Sequence, residues 1–328
     1  MAQGMKTHVL IFWFTMVGAV AAQVESLPPQ PRSGPAPVPT NPLTVQPPPA
    51  LPGTLSEPFA PLPEFGVPDD DEGWFIADEL IIAFPFLSDR LPATAPFQVP
   101  QAKLRTAVGF HTEVGYRFPE DEGLVALNYR LLNSDGTGDI FQDGMTFTTR
   151  TRVATNVIDL DYGYAPYEFA PRYTVSWRMG ARLASIYFDS RGAQGNYVRQ
   201  ASNYYVGSGF HGRMDLERRL AVVPGLSLFS RADGGFLIGF SQQRYRDEVP
   251  GFTATLTDRD QRNMPMINAQ LGLTYRPPSI RGLKFTLGYS YEQWFRTGSL
   301  GLGATGQIAT QDGSFWWHGP FLHGQFDF

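Results

Sequence analysis

The sequence predicts an all-β fold. It reads as an antiparallel up-and-down β-barrel of about ten strands that crosses a membrane, preceded by a disordered Pro-rich segment. Three observations predict it. From residue 73 onward, segment after segment alternates apolar and polar residues, the period of a strand with one apolar and one wet face. The connections between these segments are short and long by turns. Beyond the N-terminal leader no apolar stretch is long enough for a spanning helix, yet charged residues are only 17% and aromatics reach 14%. A membrane chain without helices must close its sheet, because an open edge finds no hydrogen-bond partner in lipid.

The chain opens on Lys6 and His8, followed by the apolar run Val9 to Ala22. That run fits a signal-peptide core and falls short of the ~20 residues a spanning helix needs. Small residues at Ala19, Ala21 and Ala22 place cleavage near Ala21–Gln23, so residues 1–22 read as a secretory signal; an uncleaved anchor is the alternative. Residues 23–72 are dominated by proline, with Pro28, Pro29, Pro31, Pro35, Pro37, Pro39, Pro47, Pro48 and Pro49. Such a run reads as an extended, semi-rigid periplasmic linker. Its end, Asp69 to Glu72, is either a contact to calcium or the cell wall or a plain soluble spacer.

Residues 73–328 are the expected barrel. Trp74 to Phe84 places Trp74, Ile76, Leu80, Ile82 and Phe84 on one face. Leu104 to Phe118 sets Val108, Phe110, Val114 and Tyr116 against Arg105, Gly109, His111, Glu113 and Arg117. Leu124 to Leu132 follows a short Pro119–Gly123 turn and sets Val125, Leu127 and Tyr129 against Asn128 and Arg130. Met145 to Tyr164 changes phase: Phe147, Val153 and Val157 share a face, then Ile158, Leu160 and Tyr162 take over. An extra residue near Val157, a β-bulge, accounts for such a change. Tyr173 to Phe188, Asn203 to Leu216, Leu226 to Phe240, Met264 to Arg276 and Leu283 to Arg296 repeat the alternation. Phe315 to Phe328 closes the series, with Trp316, Pro320, Leu322, Phe326 and Phe328 on even positions.

The short connections are expected near Pro119–Gly123, Ala165–Arg172, Arg218–Gly225 and Pro277–Gly282. Long loops are expected at Pro85–Lys103, Asn133–Gly144, Asp189–Ser202, Ser241–Gln261 and Thr297–Ser314. Short turns on one rim and long loops on the other are the layout of Gram-negative outer-membrane barrels, with the short turns in the periplasm.

Composition narrows the function. The net charge of −5 offers no basic patch for nucleic acid. With no cysteine, disulfides, thiolate metal sites, a Cys nucleophile and N-terminal lipidation are all excluded. There is no nucleophile elbow, His-Glu-x-x-His or phosphate loop, so no catalytic residue, metal site or cofactor is expected. Asn133 to Asp139 is superficially calcium-like but lacks the closing glutamate of an EF-hand loop. His111 and His211 are expected to point inward, and neither these nor His318 and His323 stand beside paired carboxylates at a recognisable spacing. The informative chemistry is the inward charge. The expected pore-lining residues are Arg105, Glu113, Arg130, Arg150, Arg152, Arg178, Arg182, Arg213, Asp215, Arg231, Asp233, Lys284 and Glu292. Arg117, Arg296, Asp159, Asp161 and Glu217 fall on the same faces. Cations outnumber acids there, which would favour anions in a water-filled path. Against an open path, barrels of ~8 strands are filled by side chains and only those of ~16 leave a channel.

Two resemblances add to this reading. A last strand carrying Phe326 and ending on Phe328 resembles the C-terminal assembly signal of bacterial outer-membrane barrels, which implies outer-membrane lipid and the barrel-assembly machinery as partners. From about Val153 the chain also resembles pore-forming outer-membrane proteins of the Legionella major outer-membrane protein type. The pieces, in order, are Asp159 to Tyr164, Trp177 to Ala184, Gly207 to Gly212, Gly225 to Ala232, Gly288 to Trp294 and Gly319 to Gly324. This resemblance implies a porin-like barrel and no catalytic residues. The expected function is therefore a narrow, modestly anion-preferring pore for small solutes or ions. The alternatives are a structural or ligand-contacting barrel acting through its outer loops and, third, an outer-membrane enzyme of omptin type. Oligomeric state is open.

Overall fold

The computed structural model describes residues 72–88, 93–94, 97–98, 100–119, 122–142, 144–164, 166–298 and 313–328. The expected signal peptide, and all of the Pro-rich segment but its last residue, lie outside the described residues.

Ten long strands form one closed antiparallel barrel. They are β1 (Gly73–Leu87), β2 (Ala107–Arg117), β3 (Leu124–Gln142), β4 (Met145–Gly163) and β5 (Tyr173–Gln194). The others are β6 (Tyr197–Arg219), β7 (Leu226–Val249), β8 (Phe252–Tyr275), β9 (Leu283–Gly298) and β10 (Gly313–Asp327). Each pairs with its neighbours in sequence, and β1 closes on β10. A short strand, Tyr167–Ala170, lies against the start of β5 at the short-turn rim. The seam ends on Phe328, whose amide donates to Trp74 O at 2.9 Å and whose carbonyl accepts from Trp74 N at 3.1 Å.

The outward faces are the apolar ones read from the sequence. Ile76, Leu80, Ile82, Val108, Leu127, Leu160, Leu183, Phe210, Ile238, Leu271, Leu287 and Leu322 are all exposed on the outside of the wall. Aromatics band the short-turn rim: Trp74 meets Tyr116 edge-on at 5.4 Å, Tyr164 stacks on Trp177 at 6.0 Å, and Phe326 on Phe328 at 6.3 Å. A second cluster, Phe86, Trp316 and His318, bands the other rim on β1 and β10. Amphipathic rings at two heights mark the borders of an apolar band.

Three expectations need correction. The segments read as long loops at Asn133–Gly144, Asp189–Ser202 and Ser241–Gln261 are continuations of the strands, closed by tight turns at Gly144, Gly195 and Gly251. These glycines take φ of 77°, 55° and 81°, the left-handed region a tight hairpin needs. Strands β7 and β8 thus reach 24 residues each, about 80 Å at ~3.3 Å per residue, against 11 for β2. The wall is tall over β5–β8 and low at β2.

The expected bulge near Val157 is absent: β3 and β4 run in unbroken register from Leu124↔Gly163 to Gln142↔Met145. The apparent phase change has another cause. Phe147, Val153 and Val157 point inward, because the interior itself turns from polar to apolar along the barrel. The bulge lies in β9 instead, between Phe295 and Gly298, where Arg296 is exposed at φ 56°.

The third correction concerns Pro85–Lys103, expected as an outward loop. Residues 100–104 turn into the mouth. Pro100 O accepts from Ser190 Oγ at 2.8 Å, the Ala102 amide donates to Thr151 Oγ1 at 2.9 Å, and Leu104 joins the interior core. Gly136 and Gly192 face this strap, and a Cβ on either would collide with Lys103 O or the Pro100 ring.

Candidate functional site

The barrel interior is the candidate site, and it has three storeys. At the short-turn end lies a cavity of about 770 Å³. Its wall carries Arg117, Arg178, Arg213, Arg219, Arg231, Arg276 and Lys284 beside Glu72, Glu79, Glu113, Glu168, Asp215 and Glu217. Cations and acids are here nearly balanced. Arg117 pairs with Asp327 at 2.8 Å, Arg276 with Glu217, and Arg231 with Asp215 at 2.7 Å. Arg178 and Arg213 are direct cross-strand partners, a repulsive placement, and Glu113 from the opposite side of the lumen binds both guanidinium groups.

The middle storey is a buried network. Arg182 donates to Asp159 at 2.7 and 2.8 Å and to Asp233 at 2.8 Å. His211 lies 2.6 Å from Asp161 and 3.4 Å from Asp233. Asn128 donates to Asp161 at 3.0 Å and meets His111 at 3.2 Å. The register explains the central contact: Asp161 on β4 and His211 on β6 flank Gly180 on β5 and reach each other across it. A Cβ on Gly180 would collide with Asp161 Oδ1 and Leu160 O, so glycine is what lets the two side chains meet. The free volume in this storey shrinks to about 30 Å³, room for one water.

Glu292 joins this storey to the next. It pairs with Arg130, accepts from Asn268 at 3.2 Å, and accepts the indole N–H groups of Trp294 at 2.6 Å and Trp317 at 3.2 Å. Those indoles open the outer storey, an apolar core inside the barrel with Ile81, Leu132, Ile186, Phe188, Tyr205, Leu237, Met264, Met266 and Phe315. The strap 100–104 lies at its top.

Of the residues expected to line a lumen, Glu113, Arg130, Arg178, Arg182, Arg213, Asp215, Arg231, Asp233, Lys284 and Glu292 do face the interior. Asp159, Asp161, Glu217 and Arg117 join them. Arg105, Arg150 and Arg152 do not. Arg105 precedes β2, is exposed, and donates to Thr137 Oγ1 at 3.0 Å. Arg150 and Arg152 stand on the outer face because the supposed bulge in β4 does not exist. Along the chain the histidines stand isolated, whereas in the barrel His211 sits between two carboxylates, Asp161 and Asp233. The contact joins three strands, and only the register brings it together. His211 is buried in mid-barrel, away from either rim. The Arg182 guanidinium fills the place a cation would take between Asp159 and Asp233, and among the described residues no set of carboxylates and histidines is arranged to hold a metal ion.

The family model described as "Legionella pneumophila major outer membrane protein precursor" matches residues 84–328. No curated protein matches the chain in sequence. Among solved structures, the outer membrane protease OmpT of Escherichia coli is 11% identical, with 80% of this chain and 97% of that chain covered and a TM-score of 0.49. A major outer membrane protein from Thermus thermophilus is 12% identical, covering 79% and 100%, with a TM-score of 0.33. OprG of Pseudomonas aeruginosa is 10% identical, covering 78% and 96%, with a TM-score of 0.30. At this level of likeness they say nothing about activity or ligand. The matched segment runs from the end of β1 through the whole of β10, nearly the entire barrel, and the chain belongs to the Legionella major outer membrane protein family, whose members lie in the bacterial outer membrane.

Proposed function

We propose that this outer-membrane barrel is closed to solutes across its middle and works as a structural or ligand-contacting barrel through the tall wall of β5–β8. The observation that carries this is the collapse of free volume from about 770 Å³ in the vestibule to about 30 Å³ at the Arg182–His211 network, with an apolar core beyond it. Ion transfer through that plug would strip hydration in a place where every facing charge already has a partner. The short turns face the periplasm and the tall hairpins face outward, as in other outer-membrane barrels. Among the described residues the one histidine set between carboxylates, His211, is buried in mid-barrel.

The vestibule favours a second reading, a narrow pore for small solutes or ions whose plug moves aside. Within it the expected anion preference weakens, because Arg178 and Arg182 are each bound by carboxylates and leave little net field on the wall. Planar-bilayer recording of the refolded protein decides between the two. The closed barrel predicts a flat baseline; steady single-channel steps would replace it with the pore, and the reversal potential across a potassium chloride gradient would then report the preferred ion.

A further inference from the structure

The outer face of the tall wall carries six arginines over three successive same-face rows of the ladder. On β4, Arg150 and Arg152 point outward; on β5, Arg191 is the direct cross-strand partner of Arg150. On β7, Arg244 and Arg246 point outward, and Arg259 on β8 faces Gln242 beside them. All six are exposed. Asp135 lies 3.7 Å from Arg150, Asp189 is engaged by Gln200 at 2.9 Å, and Glu248 pairs with Arg246. Arg152 stands directly between Asp135 on β3 and Asp189 on β5, while among the described residues Arg191, Arg244 and Arg259 make no ion pair. Like charges set directly across a ladder, as Arg150 and Arg191 are, cost stability, and Asp135 offsets this on the Arg150 side alone.

Their height identifies what lies there. Trp177 and Tyr187 point outward from the same strand, ten residues apart. That is about 33 Å along the strand, or roughly 25 Å across the membrane at a tilt of ~40°, the height of the apolar band in outer-membrane barrels. Tyr187 and its cross-strand partner Tyr204, both exposed, therefore mark the far border of the lipid band. Arg152 and Arg244 lie one ladder step beyond these tyrosines, and Arg150, Arg191 and Arg246 two steps beyond. This is headgroup level.

We propose that this arginine band binds the phosphate groups of a phosphorylated glycolipid in the outer leaflet, of lipid A chemistry. Guanidinium groups match phosphate oxygens in pairs, and the tyrosines beneath suit the boundary between sugar and acyl chain. Two basic clusters, on β4–β5 and β7–β8, flank the neutral Gln200 and Ser202 of β6, so one diphosphorylated headgroup can bridge them. The proposal rests on the outward orientation given above.

The test is titration of the full-length protein in non-ionic detergent micelles with bis-phosphorylated lipid A and with enzymatically dephosphorylated lipid A. We expect preference for the phosphorylated form, weakening with salt. In Arg150→Gln/Arg191→Gln and in Arg244→Gln/Arg246→Gln, binding should weaken about tenfold or more, near the scale set by two interfacial arginines. Arg218→Gln, on the outer face at the opposite rim, should bind as wild type. Equal binding of both lipids, or unchanged binding by both double variants, overturns the proposal. Displacement of the lipid by millimolar inorganic phosphate overturns it in favour of a free-anion site. The heat-induced gel shift of a folded barrel verifies each variant. Micelles have no sides, so an error in orientation would appear as failed whole-cell labelling of tags at 195 and 250, and not in this titration.

Discussion

Toward the short turns this barrel is filled with charge, and toward the hairpins with an apolar core capped by hydroxyl and amide side chains and the Arg199–Asp247 pair. The wall is the same ten strands throughout. In the inner half, arginines and carboxylates interlock, as Glu113 does with Arg178 and Arg213, and they leave a wet vestibule. In the outer half, Trp294, Trp317, Tyr205, Leu237 and two methionines meet as they would in the core of a soluble protein. The difference teaches that a narrow barrel can be closed by two kinds of filling that fail in different ways. A charged filling depends on every partner being present, because an orphaned buried ion is far costlier than a missing methyl group. An apolar filling degrades by degrees, with the volume of the void.

That contrast sets the order of effects. Arg182→Ala should be the most damaging single change, since it leaves Asp159 and Asp233 buried without their shared cation. A loss of about 3–5 kcal/mol is expected, read as the urea midpoint of the micelle-bound protein. A loss below about 1 kcal/mol would mean that water reaches the network, and the contrast between the halves would collapse. Leu237→Ala, at a fully buried position in the apolar half, should cost about 3 kcal/mol and leave a dry void. Bilayer current through that variant would show that the apolar half is the tighter barrier. Arg150→Ala should cost less than about 0.5 kcal/mol, because its pair with Asp135 is half exposed at 3.7 Å and screened by solvent. A large effect there would show that charge outside the barrel is as structural as charge inside.

What the sequence disclosed follows the same division. Lipid accepts only apolar side chains, so the outward rows from Trp74 to Leu322 were legible as alternation, and so was the interior face wherever it is charged. The outer half was not legible in this way, because both faces there carry apolar residues and Val153 and Val157 mimic a change of phase. The hairpin ends were missed because strands standing in water on both sides lose their alternation. Even so, Asp143-Gly144 and Pro250-Gly251 are turn dipeptides that mark where the chain reverses. The Asp161–His211 contact was beyond reach, since it depends on a register across three strands and on the small residue between them.

The partners inside this lumen are far apart in the chain. Arg130 waits for Glu292, Glu79 for Gln270, Arg117 for Asp327, and the Trp74 backbone for Phe328. During assembly the first three strands therefore carry charges whose partners are made late. A half-built sheet has bare edges and unneutralised ions at once, and lipid tolerates neither. Neighbouring hairpins form from short-range contacts, but closing the seam joins the two ends of the barrel and is entropically the late step. Insertion and closure thus become a single event, timed by the arrival of the final strand.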